Sequence, residues 1–481
     1  MKRHRINLEQ LARMAMIEHG LQPDLPRDAA AELENLAEPE PSPDVRELTD
    51  LSWISIDNHD SRDLDQVVFA ERVEANTLRV LIGIADVDAF VRKDSALDRH
   101  ALANTTSVYV PGRVFAMLPE RLSTDLTSLN PGEDRLAVIA EVEVASDGSL
   151  RSSSLFRARV RNHAKLVYEE VADWLEKGGP PGKNAKSDDQ VRLQDEAARR
   201  LRKLRQQEGA LDFDTIEAKA EMRDGDVVSV YRQRKTRAHA IIEDLMITAN
   251  GVTARFLDRK RMSSIRRIVR APDRWERIVK IAEEHRYSLP PEPDPSALEE
   301  FLLIERKKDP IRFPDLSLSI IKLLGRGEYE VQKAGAPPAG HFGLAVRDYT
   351  HSTAPNRRYP DLVTQRLVKA AIAGEKSPYT YDELSSIAQH CTRQENAADK
   401  VERFATKAAA ALHLANRKGE EFEGIVTGAS SKGSWVRIFD PPVEGKVVRG
   451  DRGLDVGDRI RVELVGTDPE RGFIDFERVK G

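Results

Sequence analysis

Two short apolar runs bracket a loop crowded with aspartates, and this arrangement limits what the chain can fold into. Residues 53–56 and 67–69 have the length and the aromatic and β-branched content of strands. The carboxylates of the intervening stretch belong to Asp57, Asp60, Asp63 and Asp65. Like charges this close raise one another's pKa values and destabilise a fold unless a cation neutralises them. We therefore expect two strands joined by a polar loop that presents carboxylates.

The spacing of the last two aspartates indicates a metal site. In an extended segment Asp63 and Asp65 point to one side and Leu64 to the other, so both carboxylates can bind one cation or bridge two. Hard oxygen ligands suit magnesium or manganese. A calcium loop of the EF-hand type is excluded, because its glycine and glutamate positions, counted from Asp57, hold an arginine and a valine.

On these residues alone, two other interpretations of the loop stay open. The order Asp63-Leu64-Asp65 resembles the aspartate pair of haloacid-dehalogenase-type phosphatases, where the first aspartate is a nucleophile toward small phosphomonoesters. In those enzymes this aspartate ends a buried strand, whereas here polar residues precede it. The second alternative is a solvated acidic loop, since 32% of the residues are charged.

Composition bounds the class of protein. A length of 481 residues predicts about three domains, and the single Cys391 excludes a disulfide framework and a cysteine-rich zinc site. No apolar run approaches the ~20 residues of a membrane span. We therefore expect a cytoplasmic monomer with no membrane partner. The net charge of −5 excludes a uniformly basic nucleic-acid coat and leaves local basic patches for polyanion binding.

The hydrophobic pattern divides the chain into three parts. Residues 1–44 predict short helices and a proline-rich linker, either as a helix-turn-helix-like unit or as a helical cap on the main domain. Residues 45–418 combine strand-like runs at 78–85 and 137–144 with long helical stretches. Residues 419–481 contain five short strand-like runs separated by glycines, which is the strand count of an OB fold. The predicted fold class is α+β and multidomain, with a C-terminal five-stranded β-barrel.

Several local patterns predict contacts with phosphate or caps of helices. Thirteen arginines and lysines lie between positions 231 and 277, for which a phosphate backbone is a natural complement. Arg357 and Arg358 lie between two prolines, where an arginine can bind two phosphate oxygens or a structural carboxylate. Asp361 is expected to cap the helix that follows, and Thr380 with Glu383 forms a capping-box pattern.

Taken in order, many segments resemble the catalytic domain of the ribonuclease II and ribonuclease R family, the RNB family. The resemblance is carried by residues 53–70, 84–87, 106–111, 117–126, 209–213, 241–250 and 341–361. The C-terminal part resembles the ribosomal-protein-type OB domain that follows the catalytic domain in these enzymes. On this basis we expect an N-terminal helical domain in 1–44, an RNB-type domain in 45–418 and an RNA-binding OB domain in 419–481.

The resemblance implies a metal-dependent, processive exoribonuclease. Such an enzyme hydrolyses single-stranded RNA from the 3′ end and releases nucleoside 5′-monophosphates. Asp57, Asp63 and Asp65 would bind one or two Mg²⁺ ions, or Mn²⁺. Asp65 and Arg357 would be catalytic, with Arg357 stabilising the charge that develops on the phosphoryl group.

The resemblance also implies residues that hold the RNA. Tyr109 and Phe213 match positions where the family stacks on the terminal base, a contact that tolerates every base. Glu243, or its neighbour Asp244, would bind a ribose hydroxyl. Two further RNA-binding candidates rest on residue type and position, Arg358 beside the catalytic arginine and Trp435 in the barrel.

Two departures from the family pattern affect these expectations. The family usually has a fourth aspartate directly after Asp65, where this chain has Gln66. The amide removes one negative charge, so we predict weaker metal binding or a preference for manganese, with Asp60 as a compensating carboxylate. An RNA-binding or regulatory protein that has lost catalysis is therefore the alternative hypothesis. Residues 1–44 are also too few for the cold-shock-type domains that usually begin the family, and a helical segment is expected in their place.

Overall fold

The described part of the chain comes from a computed structural model. It comprises residues 7–37, 39, 43–178, 185–214, 217–223, 226–233, 235–310, 312–430 and 432–479. Most of the predicted proline-rich linker lies outside these ranges. Within them, no helix combines the length and the apolar character needed to cross a membrane.

The N-terminal segment forms two helices that pack on the body of the protein. Helix α1 spans Leu8–Glu18 and α2 spans Arg27–Glu34. The buried side of α1 contacts Val401 and Ala405, far along the chain. Helix α2 instead contributes Ala29 to the main hydrophobic core. Because each helix packs on a different part of the large domain, this segment has the arrangement of a helical cap.

A closed sheet lies at the centre of the large domain. Its strands and an adjoining hairpin are β1 (Arg46–Glu47), β2 (Trp53–Asp57), β3 (Gln66–Glu74), β4 (Thr77–Ala85), β5 (Val108–Val110), β6 (Arg113–Phe115), β7 (Asp134–Val144) and β8 (Leu150–Val167). The sheet order is β1-β8-β2-β3-β4-β7, and β7 also pairs with β8. Strand β8 closes the circle because its first part is antiparallel to β7 and its last part is parallel to β2. The strands predicted at 78–85 and 137–144 are confirmed.

The helices of the large domain pack on this sheet or on one another. They are α3 (Ala96–Asn104), α4 (Tyr168–Lys177), α5 (Ala185–Gln207), α6 (Arg237–Arg259), α7 (Trp275–Glu284), α8 (Pro295–Lys308), α9 (Phe313–Leu324), α10 (Tyr359–Ala373) and α11 (Tyr381–Leu414). Buried residues of α5, α6, α10 and α11 join those of the sheet in one cluster. The predicted capping box starts α11, since the Glu383 amide donates to Thr380 Oγ1 at 3.2 Å and the Thr380 amide to Glu383 Oε2 at 2.7 Å.

Two antiparallel two-stranded sheets lie beside α11. The first consists of β9 (Glu217–Arg223) and β10 (Asp226–Gln233), and the second of β11 (Ser264–Ile268) and β12 (Glu328–Gln332). Between β11 and β12 the chain forms α7, α8 and α9, which share a separate apolar cluster centred on Trp275, Phe301 and Phe313.

The C-terminal strands form a closed barrel. They are β13 (Glu421–Ser430), β14 (Gly433–Ile438), β15 (Glu444–Arg449), β16 (Arg459–Asp468) and β17 (Phe473–Arg478), joined in the order β13-β14-β15-β17-β16. A Cβ at Gly445 would lie 2.6 Å from the Ile474 carbonyl oxygen, so only glycine fits there. Ala411 and Leu414 of α11 belong to the barrel's core. The predicted α+β class with a five-stranded OB-like barrel is confirmed.

Candidate active site

The aspartate loop connects two neighbouring strands of the closed sheet. Asp57 is the last residue of β2 and Gln66 is the first residue of β3. Between them Leu64 is 1% exposed and packs in the main core, while the Leu64 amide donates to Ser128 Oγ at 3.0 Å. Leu64 thus packs into the core, while the side chain of Asp65 contacts Asn356 and Arg357.

Asp65 lies at the floor of the site. Its Oδ1 accepts a hydrogen bond from the Asn356 amide at 3.1 Å, and its Oδ2 accepts one from Arg357 Nε at 3.3 Å. Burial raises the pKa of Asp65 to about 7, with Asp63 adding to the rise and Arg357 opposing it. The carboxyl group is thus fixed in orientation but costly to ionise without a further cation.

Asp57 has the same electrostatic character. Burial and the neighbouring Asp63 raise its pKa to about 7, although Lys165 and Arg357 act in the opposite direction. The Gln66 side-chain amide donates to Asp57 Oδ2 at 3.5 Å. In this orientation Gln66 offers the site a donor where the RNB pattern has a carboxylate.

The carboxylates fit a divalent cation in chemistry. Asp57, Asp63 and Asp65 supply hard oxygen donors, and two of them have pKa values raised by burial and mutual repulsion, which a cation would reverse. In the described ranges, however, no three His, Cys, Asp or Glu side chains are grouped closely enough to hold an ion as they stand. A cation would therefore have to draw these side chains together.

Lys165 anchors the loop, a role that the sequence pattern did not predict. From β8 its Nζ donates to the backbone oxygens of His59 at 3.1 Å and Ser61 at 2.5 Å. On the opposite side Ser128 Oγ donates to the Arg62 carbonyl at 2.8 Å. These anchors are distant in sequence from the loop, so no local pattern could have identified them.

Tyr109 lies beside the aspartates and Arg357. The Ser107 amide donates to the Arg357 carbonyl at 3.0 Å, which joins the two segments. Burial raises the pKa of the Tyr109 hydroxyl, and the charges of the nearby aspartates raise it further. The Tyr109 amide donates to Glu402 Oε1 of α11 at 2.7 Å. Glu402, which sequence reasoning did not single out, thus positions the strand that carries the tyrosine.

Phe213 and Glu243 lie together in the wall of a cavity of about 310 Å³. Lys235, also in this wall, forms an ion pair with Glu243. The neighbouring Asp244 is 1% exposed and forms ion pairs with arginines of α5. Of the two acidic candidates for a ribose contact, Glu243 is therefore the one that faces the cavity.

A stacked pair of rings lies where the starts of α4 and α6 meet. Tyr168 and His239 have ring centroids 3.9 Å apart and planes at 11°. Asp57 contributes to the raised pKa of Tyr168 after burial, while Glu243 and Lys235 both act on the pKa of His239, which burial lowers. The two parts of the candidate site are thus electrostatic neighbours.

Arg358 is held differently from Arg357. Its Nη2 donates to Asp361 Oδ1 at 2.7 Å, and the same oxygen accepts the Ala354 amide at 2.9 Å. The prediction that Asp361 caps α10 is therefore wrong, because its carboxylate is turned toward the preceding loop. Arg358 shows the structural ion pair that was the alternative for this arginine pair, and its contact with RNA stays a prediction.

Trp435 lies outside this site, on β14 of the barrel, with Lys446 Nζ 6.0 Å from its ring centroid. Arg437 on the same strand forms a mostly buried ion pair with Asp315 of α9. Several cations of the run 231–277 form ion pairs within the protein, among them Arg237 with Asp195 and Arg267 with Glu395. The contact of this run with phosphate stays a prediction. Arg234 of that run lies outside the described residues.

Comparison with known proteins places the chain in a family. The RNB domain matches residues 45–374, and the RNase II-type exonuclease C-terminal S1 domain matches residues 420–479. The chain belongs to the RNB family of exoribonucleases. It is similar to ribonuclease R of Aquifex aeolicus, with 30% identity over 96% of this chain and 69% of that protein. Ribonuclease R of Escherichia coli is 30% identical over 90% of this chain, which spans 57% of that protein's length.

Solved structures show the same RNB fold. RNase R of Mycoplasma genitalium in complex with ribose-methylated single-stranded RNA has a TM-score of 0.89 and 22% identity, covering 98% of this chain and 78% of that one. A yeast pseudonuclease has a TM-score of 0.74 and 17% identity, covering 95% and 57%. Since this RNB fold also occurs in a pseudonuclease, the activity must be argued from the site residues.

Proposed function

We propose that this chain is a metal-dependent, processive 3′–5′ exoribonuclease that hydrolyses single-stranded RNA to nucleoside 5′-monophosphates. The observation that carries the proposal is the position of Asp65, buried between the Asn356 amide and Arg357 and electrostatically coupled to Asp63. Family membership supports the reaction class. The complex of the Mycoplasma relative with single-stranded RNA supports the substrate.

Asp57, Asp63 and Asp65 would hold one or two Mg²⁺ or Mn²⁺ ions. A bound ion of this kind supplies an activated water and neutralises charge on the scissile phosphate. In the reaction the water oxygen forms a bond to the terminal phosphorus and the bond from phosphorus to the 3′ oxygen breaks. The 3′ oxygen of the shortened RNA then takes up a proton, and the next phosphodiester becomes terminal.

Arg357 is suited to stabilise the charge on the reacting phosphoryl group. Its side chain is 42% exposed, and its ion pair with Asp65 uses Nε. Both terminal nitrogens can therefore turn toward phosphate oxygens while the Asp65 contact fixes the guanidinium plane. Tyr109 and Phe213 would stack on the terminal base, and Glu243 would bind a ribose hydroxyl.

The test is a time course on 5′-labelled single-stranded RNA with Mg²⁺ or Mn²⁺, resolved at single-nucleotide length. We expect a ladder that shortens from the 3′ end to a short limit product, and no ladder with Asp65→Asn. Adding an excess of unlabelled RNA during the reaction should leave the products of already bound RNA unchanged if degradation is processive. RNA that is bound but stays intact with both metals would contradict the proposal.

A second candidate function is RNA binding without hydrolysis. Gln66 favours it, because this amide donates to Asp57 where the RNB pattern supplies another carboxylate. If the RNA stays intact, the Gln66→Asp variant decides between the two functions. Recovery of the 3′ ladder in that variant would show a site silenced by one residue, whereas continued inactivity would leave RNA binding as the function.

A further inference from the structure

A second cavity lies beside the β11–β12 sheet, outside the aspartate loop. It has a volume of about 210 Å³ and is bounded by that sheet, by the turn and loop that follow β12, and by Tyr381 at the start of α11. Tyr349 forms part of its wall. The Gln332 side-chain amide donates to the Ala336 carbonyl at 3.1 Å, which fixes the turn. The cavity therefore has a defined wall on several sides.

The charge of this cavity is strongly positive. Four cationic residues line it, Arg266, Arg267, Lys333 and Arg347, and Glu330 is the one acidic residue of its lining. Glu330 is neutralised from outside by Arg270, whereas Arg267 is paired with Glu395. Among the residues that the structure describes, the side chains of Lys333 and Arg347 form no ion pair. The cavity thus has more cationic groups than internal partners.

Arg266 is the least satisfied of these groups. It is 3% exposed, and its Nη2 donates to the Ala254 carbonyl at 2.9 Å. Its Nε and Nη1 are buried and have no hydrogen-bond partner within the described ranges. Asp348 and Asp258 favour its charge from a distance, yet burial lowers its pKa. A buried guanidinium without a bonded anion is costly, and an anion in the cavity would offset that cost.

We propose that this cavity binds the phosphate group of a small molecule, either inorganic phosphate or a nucleoside monophosphate. A doubly charged phosphate matches several arginines and a lysine better than any neutral ligand does. The volume is below the ~300 Å³ at which pockets for drug-sized ligands begin. A small phosphate therefore fits better than several nucleotides of a polymer. The proposal is independent of RNA hydrolysis, since no residue of the aspartate loop lines the cavity.

Calorimetric titration of the full chain with inorganic phosphate, in EDTA and at low chloride, tests the site. We expect saturable binding at one site, weakened roughly tenfold or more in the double variant Lys333→Ala with Arg347→Ala. Both side chains are exposed, so this variant should fold. Arg266→Gln should weaken binding as well. The matched control is Arg277→Ala, an exposed cation that does not line the cavity.

Two further ligands distinguish the sources of phosphate. Tighter binding of a nucleoside 5′-monophosphate than of inorganic phosphate would indicate that its ribose and base contact the rim near Tyr381. Equal affinities would indicate that the cavity recognises only the phosphate group. A nucleoside without phosphate should not bind. Phosphate affinity that is unchanged in the double variant would overturn the proposal. The proposal would also be overturned if the double variant lost only its binding of single-stranded RNA, because this surface would then be part of the path of the RNA.

Discussion

The buried carboxyl group of Asp65, a proposed metal ligand, lowers the stability of the metal-free protein when it is ionised. In the folded protein its pKa is about 7, above the ordinary value of 3.8, because burial disfavours the charged form. Folding therefore binds a proton, so in metal-free protein the penalty is absent below pH ~4, grows as the pH rises and is complete above pH ~7. Asp65→Asn removes the ionisable group while keeping an acceptor for the Asn356 amide.

We predict that Asp65→Asn is more stable than wild type at pH 8 in EDTA, with a free energy of unfolding higher by on the order of 1–2 kcal/mol. The variant should therefore unfold at a higher temperature. The difference should shrink toward pH 4, where the wild-type carboxyl group is protonated. Thermal unfolding of both proteins across this range measures it. A variant that is less stable than wild type at pH 8 would show that the contacts of the carboxylate outweigh its desolvation.

Gln66 is expected to weaken the metal site. Replacing it by aspartate adds a fourth carboxylate and removes the amide donor from Asp57. We predict that Gln66→Asp lowers the Mg²⁺ concentration at half-maximal RNA cleavage by roughly tenfold and reduces any preference for Mn²⁺. Asp60→Asn is the control for compensation within the loop. Identical metal-dependence curves for wild type and Gln66→Asp would refute this explanation.

Residue patterns in the sequence predicted local geometry better than long-range partners. The strands at 78–85 and 137–144 were correct, because runs of apolar residues of strand length are a local signal. The capping role of Asp361 was not, because its carboxylate accepts from Arg358 and from the Ala354 amide in the preceding loop. Arg237 and Arg267 pair with carboxylates that are distant in sequence. A carboxylate distant in sequence can neutralise an arginine without leaving any local signal.

At the level of secondary-structure elements, β8 does most to position the aspartate loop. It pairs with β2 so that Ser55 lies opposite Lys165, and the Lys165 ammonium then reaches two carbonyls of the loop. We predict that Lys165→Met raises the Mg²⁺ concentration for half-maximal cleavage several-fold, because the loop loses two anchors and a cation that opposes carboxylate repulsion.

The conservative variant Lys165→Arg separates this positioning role from a general loss of fold. It should restore most of the metal dependence, since a guanidinium can donate to both carbonyls. RNA affinity in EDTA should be similar for all three proteins. Equal metal-dependence curves for wild type and Lys165→Met would mean that the loop keeps its shape without this contact.

Short strands of the barrel were predicted well, and β8 was not predicted at all. The barrel strands alternate inward and outward residues between glycines, which is a local pattern. Strand β8 extends from Leu150 to Val167 because it pairs with β7 and then with β2. That change of partner is a property of the closed sheet, and a sequence window covering β8 alone does not contain it.

In the whole molecule, the barrel contacts the large domain through apolar packing and through ion pairs. Its core includes Ala411 and Leu414 at the end of α11. Arg437 of β14 also forms an ion pair with Asp315 of α9, with side chains only 12% and 14% exposed. Apolar packing is non-directional, whereas a buried ion pair has a defined geometry and so fixes the orientation of the barrel relative to α9.

Replacing one partner of this ion pair should therefore destabilise the protein more than replacing both partners. We predict that Arg437→Met and Asp315→Leu each lower the free energy of unfolding by about 3 kcal/mol, since each leaves one buried charge without its partner. The double variant should lose much less than the sum, because it buries no unpaired charge. Thermal unfolding of the four proteins gives the coupling energy. Additive losses would show that solvent or another group already compensates each charge, and that the other contacts of the barrel orient it.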